Sequence, residues 1–414
     1  MKILHVSSSD GGGGAAIAAL RIHQSLNTSN IDSSMFVAKK ISDQPKVFSY
    51  KNNITKLYAL IKTGIGAKVT KLQLTENNVI HSISFIPSRL EKFINKSSFD
   101  LVHLHWVQGE MISIESIGRI NKPLVWTLHD NWAFLGSEHL PLNESDIRYK
   151  EGYLKSNKPK GHKFFDFDRW CWERKKKNWV KEIPIVCPSE WLANCVKQSA
   201  LMKSWPVNVI PNPLDVEIFK PFDQKIAREL FNLPQDKKII LFGSMDGTNN
   251  KNKGWDLLSK SLKIVARNIP DAISVIFGQS DGDHSSEINM PIIYVGKLND
   301  PQSLAMLYSA ADITIVPSRI ESFGQIASES ISCGTPAIAF DCTGLKDVIK
   351  NDETGFLVDP YDYVNLGKSI IKLLKNDSKI NQFKIACRER ALKLWSYEAI
   401  SKKYIDLYLK ILNK

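Results

Sequence analysis

Two carboxylates, Glu321 and Glu329, bracket the run Ser322-Phe323-Gly324-Gln325, and the residues around them limit what they can do. The β-branched stretch Ile313-Thr314-Ile315-Val316 reads as a buried strand. It stops at Pro317, because a proline cannot donate to an interior ladder. After a short loop, Phe323-Gly324 lead into a helix that turns Ile326, Ala327 and Ile331 toward a core. Cys333-Gly334-Thr335-Pro336 ends it, with Gly and Pro in the order a helix C-terminus prefers, and Ala337-Ile338-Ala339-Phe340 follows as a strand. Glu321 and Glu329 therefore sit either side of a helix N-terminus at the C-terminal edge of a parallel sheet, where open α/β sheets place ligands. Free N–H groups at the helix start favour an anion such as a diphosphate. Carboxylates repel that anion and suit the hydroxyls of a ribose or hexose. A diphosphate site flanked by hydroxyl acceptors is a nucleotide-sugar site.

Other residues could join this chemistry. The loop Gly11-Gly12-Gly13-Gly14 follows the strand Lys2–Val6 and opens a helix, so a phosphate could approach its backbone. It fails as a dinucleotide fingerprint, because the second strand ends in Lys39-Lys40 instead of an acid for the ribose. Lys253-Gly254-Trp255 begins a helix after the polar loop Asp246 to Asn252, and a lysine there can act on a leaving diphosphate as a point charge. Thr127-Leu128-His129-Asp130 ends one strand, and His103, His105 and Trp106 end another. A histidine at a strand end is more often a hydrogen-bonded core residue, and this applies to His103 and His105. Two D-x-D strings, Asp166-Phe167-Asp168 and Asp281-Gly282-Asp283, have the composition of a metal–diphosphate motif, but neither lies at a defined strand end.

The context E-S-F-G-x4-E followed by C-G-T-P resembles the signature of retaining glycosyltransferases of family 4 (glycosyl transferases group 1), of the bacterial surface-polysaccharide type. The resemblance covers nearly the whole chain. It implies the GT-B fold, an α/β architecture of two Rossmann-like domains with parallel sheets facing a central cleft. Residues 1–205 would form the acceptor-side domain, with a basic and aromatic insertion at about 133–181. Residues 206–392 would form the donor domain, and 393–414 a helix returning to the first domain. The resemblance assigns the transferred sugar's hydroxyls to Glu321 and the ribose to Glu329. It assigns the diphosphate to Lys253 and to the backbone of Phe323, Gly324 and Gln325, with Gly12, Gly13 and Gly14 facing it across the cleft. Gly296 lines the base pocket. His129 stands beside the donor sugar and acceptor, with His105, Trp106 and Asp130 on the acceptor side. Family members place an arginine just upstream of the lysine. Here Ser244 and Asn252 stand nearest, and neither is basic. The family relies on helix dipole and lysine, so metal-independent catalysis is expected, with no cofactor.

The elements that must position these residues recur along the chain. Ser34–Val37, Leu101–His105, Leu124–Thr127 and Ile185–Cys187 are short apolar strands separated by helical stretches. The pattern restarts at Lys238–Gly243 after a proline-bearing connector through Pro211, Pro213 and Pro221. Such alternation implies parallel sheets covered on both faces. A length of 414 residues accommodates two domains of roughly 200 residues each.

The net charge of +12 favours polyanionic partners. Between Lys150 and Lys181 eleven Lys/Arg oppose four acids, interleaved with Tyr153, Phe164, Phe165, Phe167, Trp170, Trp172 and Trp179. That mixture suits a membrane interface or a single-stranded nucleic acid; equally, the aromatics could anchor the segment to its own domain. Six cysteines without C-x-x-C spacing, no signal-like start and no apolar run of about 20 residues predict a cytoplasmic protein, peripheral at the inner face of the plasma membrane. The expected donor is a UDP- or GDP-linked sugar. The expected acceptor is a glycan or lipid-linked glycan of lipopolysaccharide, capsule or exopolysaccharide, with an anionic membrane in contact and no nucleic acid. Two other readings stay open: a sugar-nucleotide epimerase of the same architecture, and a non-catalytic polyanion- or membrane-binding protein.

Overall fold

Runs of Ile, Val, Leu and Phe too short for helices, each followed by a helical stretch, can only pair in parallel through crossovers. The computed structural model describes residues 1–142, 146–244, 247–282 and 284–413. It divides into two compact units, Met1–Pro211 with Ile400–Lys414, and Asn212–Ala399.

In the first unit the strands are β1 (Lys2–Ser9), β2 (Asp32–Lys39), β3 (Val47–Phe48), β4 (Leu101–Leu104), β5 (Leu124–Thr127), β6 (Ile185–Cys187) and β7 (Val207–Val209). They form one parallel sheet in the order β3-β2-β1-β4-β5-β6-β7. Because side chains alternate along a strand, Leu4, Val6, Val102, Leu104 and Trp126 enter one core. Ile3, Leu101 and Val125 enter the core on the opposite face. Residues Ile400, Tyr404 and Tyr408 of the helix Tyr397–Leu412 cover that second face. Two hydroxyl contacts lock it there: Tyr408 to His103 Nδ1 at 2.7 Å and Tyr404 to Thr127 Oγ1 at 3.3 Å.

The basic and aromatic segment lies largely inside this unit. Tyr153, Phe167, Trp172 and Trp179 are buried with Trp126 and Trp132, and Trp170 is half-buried; of the seven aromatics only Phe164 and Phe165 are exposed. The segment therefore differs from a wholly leaflet-facing surface, because packing these rings removes a large apolar area from water. Polar ties reinforce it. Asp168, buried, accepts from Gln73 Nε2 at 2.9 Å and lies 3.5 Å from Arg148, whose guanidinium also reaches Glu138 at 3.2 Å. The buried Lys175 ammonium donates to the carbonyls of Trp132, Leu135 and Gly136 and lies 3.7 Å from the Trp132 ring centre; burial pulls its pKa down to about 7.

The second unit contains β8 (Lys238–Gly243), β9 (Ala272–Phe277), β10 (Ile292–Tyr294), β11 (Ile313–Val316), β12 (Ala337–Phe340) and β13 (Gly355–Val358). These are parallel in the order β10-β9-β8-β11-β12-β13. Ile239, Leu241, Val275 and Ala339 face one core, and Ile240, Phe242, Ile315 and Phe340 the other. The strands are shorter than the apolar runs suggest at two points. Gly278 and Gly296 fall just outside β9 and β10, with φ of 93° and 74°, and the Gly278 N–H donates to the Gly296 carbonyl at 2.7 Å. Among the described residues no helix is long and apolar enough to cross a membrane.

Candidate active site

At the C-terminal edge of the second sheet, the loop after β8 and the loop after β11 are held against each other. The contact begins with Gly254, which adopts φ of 72°, and a Cβ there would lie 1.9 Å from the Pro317 carbonyl oxygen. Only glycine permits that approach. Next to it, the Asn252 amide bridges the second loop: its oxygen accepts from Ile320 N–H at 3.1 Å and its nitrogen donates to the Ile320 carbonyl at 2.8 Å. The Arg319 N–H donates to the Asn252 carbonyl at 2.8 Å, and the Arg319 guanidinium clasps both Asp256 oxygens at 3.0 and 2.8 Å. This clamp sets Lys253 Nζ 2.6 Å from Glu321 Oε1, with both side chains partly exposed. The far side of Glu321 is also fixed. Its N–H donates to Thr343 Oγ1 at 3.1 Å, and its carbonyl accepts from Gly344 N–H at 2.8 Å.

Phe323, buried, anchors the turn into the helix Gln325–Ser332, and Gly324 takes the N-cap position without any side-chain cap. The helix start therefore offers backbone N–H groups and a positive dipole end. Glu329, on the second turn, is buried and accepts from the Tyr308 hydroxyl at 2.9 Å. Lys253, Glu321, Phe323, Gly324, Gln325 and Glu329 are thus assembled around the loop after β11. Gly296 follows the edge strand β10, three places away in the sheet, where its N–H donates to the Gln279 carbonyl at 3.1 Å.

The first sheet's C-terminal edge carries a different arrangement. His129 Nε2 lies 3.2 Å from His105 Nδ1, and His105 Nε2 lies 2.9 Å from His5 Nδ1. His103 packs against His105 with ring centroids 4.1 Å apart and is bonded at both nitrogens, to Tyr408 and to Thr127. Burial holds all four imidazoles neutral: His129 is pulled down to about 4, and His5, His103 and His105 fall well below the ordinary value. Beside them Asp130 accepts from Trp106 Nε1 at 2.8 Å and from His139 Nδ1 at 2.6 Å, and its carboxyl is held below the usual range by His139 and these hydrogen bonds despite its burial. Gly12, Gly13 and Gly14 lie at the end of β1. Gly13 caps the helix Gly14–Thr28 with no side-chain bond, and nothing lies within 4 Å of where its Cβ would stand.

The first D-x-D string is otherwise engaged. Asp166 caps the helix Phe167–Asn178 by accepting from Arg169 N–H at 3.0 Å, and Asp168 belongs to the buried Arg148 network. Asp283 and Asp246 lie outside the described residues. Among the described residues two groups have metal-ligand geometry, His5-His103-His105 and His81-Glu138-Asp168. In the first, ring nitrogens bond one another and neighbouring hydroxyls; in the second, Arg148 already supplies the positive charge. Sequence reasoning missed Asn252, Arg319 and Tyr308 as positioning groups and His5 as the inner end of the histidine chain. An Asn immediately before the lysine and an Arg two residues before Glu321 were the available signals.

Two family models match the chain in succession. Residues 12–218 match the model of Glycosyltransferase Family 4, and residues 223–390 that of Glycosyl transferases group 1. The chain is 25% identical over 388 residues to the D-inositol 3-phosphate glycosyltransferase of Acidothermus cellulolyticus, covering 87% of this chain and 78% of that one. Its fold resembles sucrose-phosphate synthase from Thermosynechococcus elongatus, with a TM-score of 0.67 at 19% identity over 100% of both chains. It also resembles Anabaena HepE in complex with UDP-glucose, with a TM-score of 0.68 at 15% identity, covering 99% of this chain and 100% of that one.

Proposed function

The chain belongs to glycosyltransferase family 4, and we propose that it moves a sugar from a nucleoside diphosphate sugar to a hydroxyl of a glycan acceptor, with retention at the anomeric carbon. The observation that carries this reading is the Lys253–Glu321 pair at 2.6 Å beside the uncapped start of Gln325–Ser332. One strand end there offers a cation, the backbone N–H groups of a helix start and a hydroxyl-seeking carboxylate. In this reading Lys253 and the amides of Phe323, Gly324 and Gln325 take the diphosphate, Glu321 the hydroxyls of the transferred sugar, and Glu329 those of the ribose. Gly296 lines the base pocket, and Gly12, Gly13 and Gly14 approach the phosphates through bare backbone.

Stabilising the departing nucleoside diphosphate is the main catalytic contribution, since charge develops on its oxygens as the glycosidic bond breaks. Glu321 is engaged by Lys253 and therefore suits hydroxyl binding better than covalent attack. The acceptor hydroxyl then attacks from the face the leaving group departs, and the leaving phosphate accepts its proton. His129, kept neutral by burial, orients acceptor and sugar by hydrogen bonding instead of donating charge. His105, Trp106 and Asp130 serve the acceptor side. No step calls for a metal ion.

The acceptor we favour is a lipid-linked glycan of a bacterial surface polysaccharide, met at the cytoplasmic face of an anionic membrane. The net charge of +12 supports an acceptor carrying phosphates. A phosphorylated small acceptor is the second reading, favoured by the D-inositol 3-phosphate glycosyltransferase likeness.

The test is a thermal-shift panel of UDP-, GDP- and ADP-sugars with and without EDTA, on the wild type and Glu329→Ala, followed by NMR of the product anomer. One selective upward shift, indifferent to EDTA and lost in the variant, names the donor; an inverted anomer or interconverted donor sugars would overturn retention or transfer respectively.

A further inference from the structure

The helix Asn53–Thr70 in the first unit carries its apolar face outward. Ile54, Leu57, Tyr58, Ile61 and Ile65 recur at i, i+3, i+4, i+7 and i+11, which places them on one side of a helix, and all five are exposed. The inward stripe is small or polar. Lys62 is buried and donates to the Met111 carbonyl at 3.0 Å, Gly66 packs against Glu110, and the Thr63 hydroxyl donates to the Gly109 carbonyl at 3.1 Å. A helix held to its domain by hydrogen bonds while five large apolar residues face water is the reverse of the usual arrangement.

The exposed face continues beyond the helix. Leu72 and Leu74 are exposed, and the Lys163 N–H donates to the Leu74 carbonyl at 3.0 Å, which brings the loop carrying Phe164 and Phe165 alongside. Phe164 is 76% exposed. Between the two stretches lies an apolar cavity of about 380 Å³, with Val69 and Leu72 on one side and Phe85, Phe165 and Trp170 on the other.

Charge decides what this surface fits. Neither residues 51–75 nor residues 152–165 contain an Asp or Glu. Lys56, Lys68 and Lys71 on the first stretch and Lys155, Lys160 and Lys163 on the second are all exposed. A second copy docked through the same patch about a two-fold axis would set these lysines against themselves. The exposed Glu76 lies against Gly161 at the margin, one acid beside these six exposed lysines. An apolar face rimmed predominantly by cations matches an anionic lipid surface, where apolar side chains enter below the headgroups and ammonium groups meet phosphate. The geometry points to the patch formed by Asn53–Thr70, Leu72, Leu74, Phe164 and Phe165 as a docking surface for an anionic leaflet. This deepens the proposed encounter with a lipid-linked acceptor and relocates it. The contact is made by an outward-facing helix and one loop tip, while most of the aromatic segment 150–181 is core.

The experiment is flotation of the full chain with phosphatidylcholine vesicles with and without phosphatidylglycerol, at low and high salt. Wild type, Ile61→Glu and Lys68→Glu/Lys71→Glu are compared, with size-exclusion chromatography and the UDP- and GDP-sugar thermal shift on each. The expected result is salt-sensitive binding only to phosphatidylglycerol vesicles, weakened at least tenfold by Ile61→Glu and about fivefold per lysine by the charge variant, with unchanged melting temperature and nucleotide-sugar shift. Absence of vesicle binding by wild type overturns the proposal, as does binding that both variants retain. A wild-type dimer dissolved by Ile61→Glu, without vesicle binding, would assign the patch to a second copy. Because nucleotide-sugar binding is read in the same samples, absence of docking by the wild type with an intact shift condemns only this surface; wild-type docking without any shift condemns the transferase site instead.

Discussion

The two sheets present the same device at their C-terminal edges, a glycine leading into an uncapped helix, and surround it with opposite chemistry. At the first, Gly13 precedes Gly14–Thr28 beside four imidazoles held neutral by burial. At the second, Gly324 precedes Gln325–Ser332 beside the Lys253–Glu321 ion pair, which remains partly open to solvent. Solvation explains the difference. A desolvated imidazole sheds its proton, whereas in an ion pair that water still reaches each partner compensates the other's charge. The four imidazoles of the first edge can therefore only hydrogen-bond, with the Asp130 carboxylate the charge kept beside them, while the second edge sets a cation and a carboxylate next to a helix start.

The sharpest way to break this contrast is Glu321→Ala. It is expected to lower kcat by about 10²–10³ with a smaller change in KM, as for loss of one contact strengthened in the transition state; a change confined to KM would make Glu321 a simple binding group. Lys253→Ala comes next, with a loss of about 10² in rate. Calorimetry should show weaker binding of the nucleoside diphosphate and unchanged binding of the nucleoside, since only the former presents the charge.

Glycine replacements then separate fold from ligand. Gly254→Ala must place a Cβ against the Pro317 carbonyl at positive φ, so it should cost about 2 kcal/mol or more and visibly lower the melting temperature. Gly13→Ala has open space and extended backbone, so its stability cost should stay under about 1 kcal/mol. A fall in turnover without a fall in melting temperature would identify Gly13 as a ligand contact.

The histidine edge is tested by pH. His129 drops to about 4 in the folded chain from an ordinary value near 6.5, and His5, His103 and His105 move the same way. The unfolded chain therefore takes up protons first as pH falls. Stability should be fully present above pH 6.5 and be lost progressively toward pH 4, read as a falling urea midpoint. Turnover above pH 5 should show no acidic limb from His129. The smallest effect belongs to Tyr308→Phe, which removes the bond to Glu329 and should cost about 1 kcal/mol by denaturation, with donor affinity reporting how far that bond orients the carboxylate.

Much of this was legible in the chain. Ile313–Val316, Ala337–Phe340, Lys238–Gly243 and Leu124–Thr127 are strands at the residues their apolar runs mark, because a strand buried on both faces must be continuously apolar. The Glu321 and Glu329 placement followed from Pro317, Gly324 and the Gly334–Pro336 exit, which are local stop and start signals. What escaped was longer in range. The two-residue β3 and the four-residue β13, opening on a glycine, carry little pattern of their own. The pairing of Lys253 with Glu321 spans 68 residues, and no periodicity encodes which loops meet. The aromatic residues of 150–181 read equally as interface or anchor, since hydrophobic type does not say which side of a ring faces water.

Sequence alone determined the α/β class, the two parallel sheets, the strand end that bears the carboxylates and the family, because these rest on local backbone preferences and alternating burial. Tertiary structure decided which charges survive and which surface stays apolar. His5 of β1, His103 and His105 at the end of β4, and His129 beyond β5 became a neutral chain only when the sheet order placed them side by side, with Tyr408 bonded to His103. The helix Asn53–Thr70 turned its apolar face outward only because Lys62, Thr63 and Gly66 found partners at Met111, Gly109 and Glu110. Both outcomes depend on desolvation, which is a property of what surrounds a residue in space and not of its neighbours along the chain.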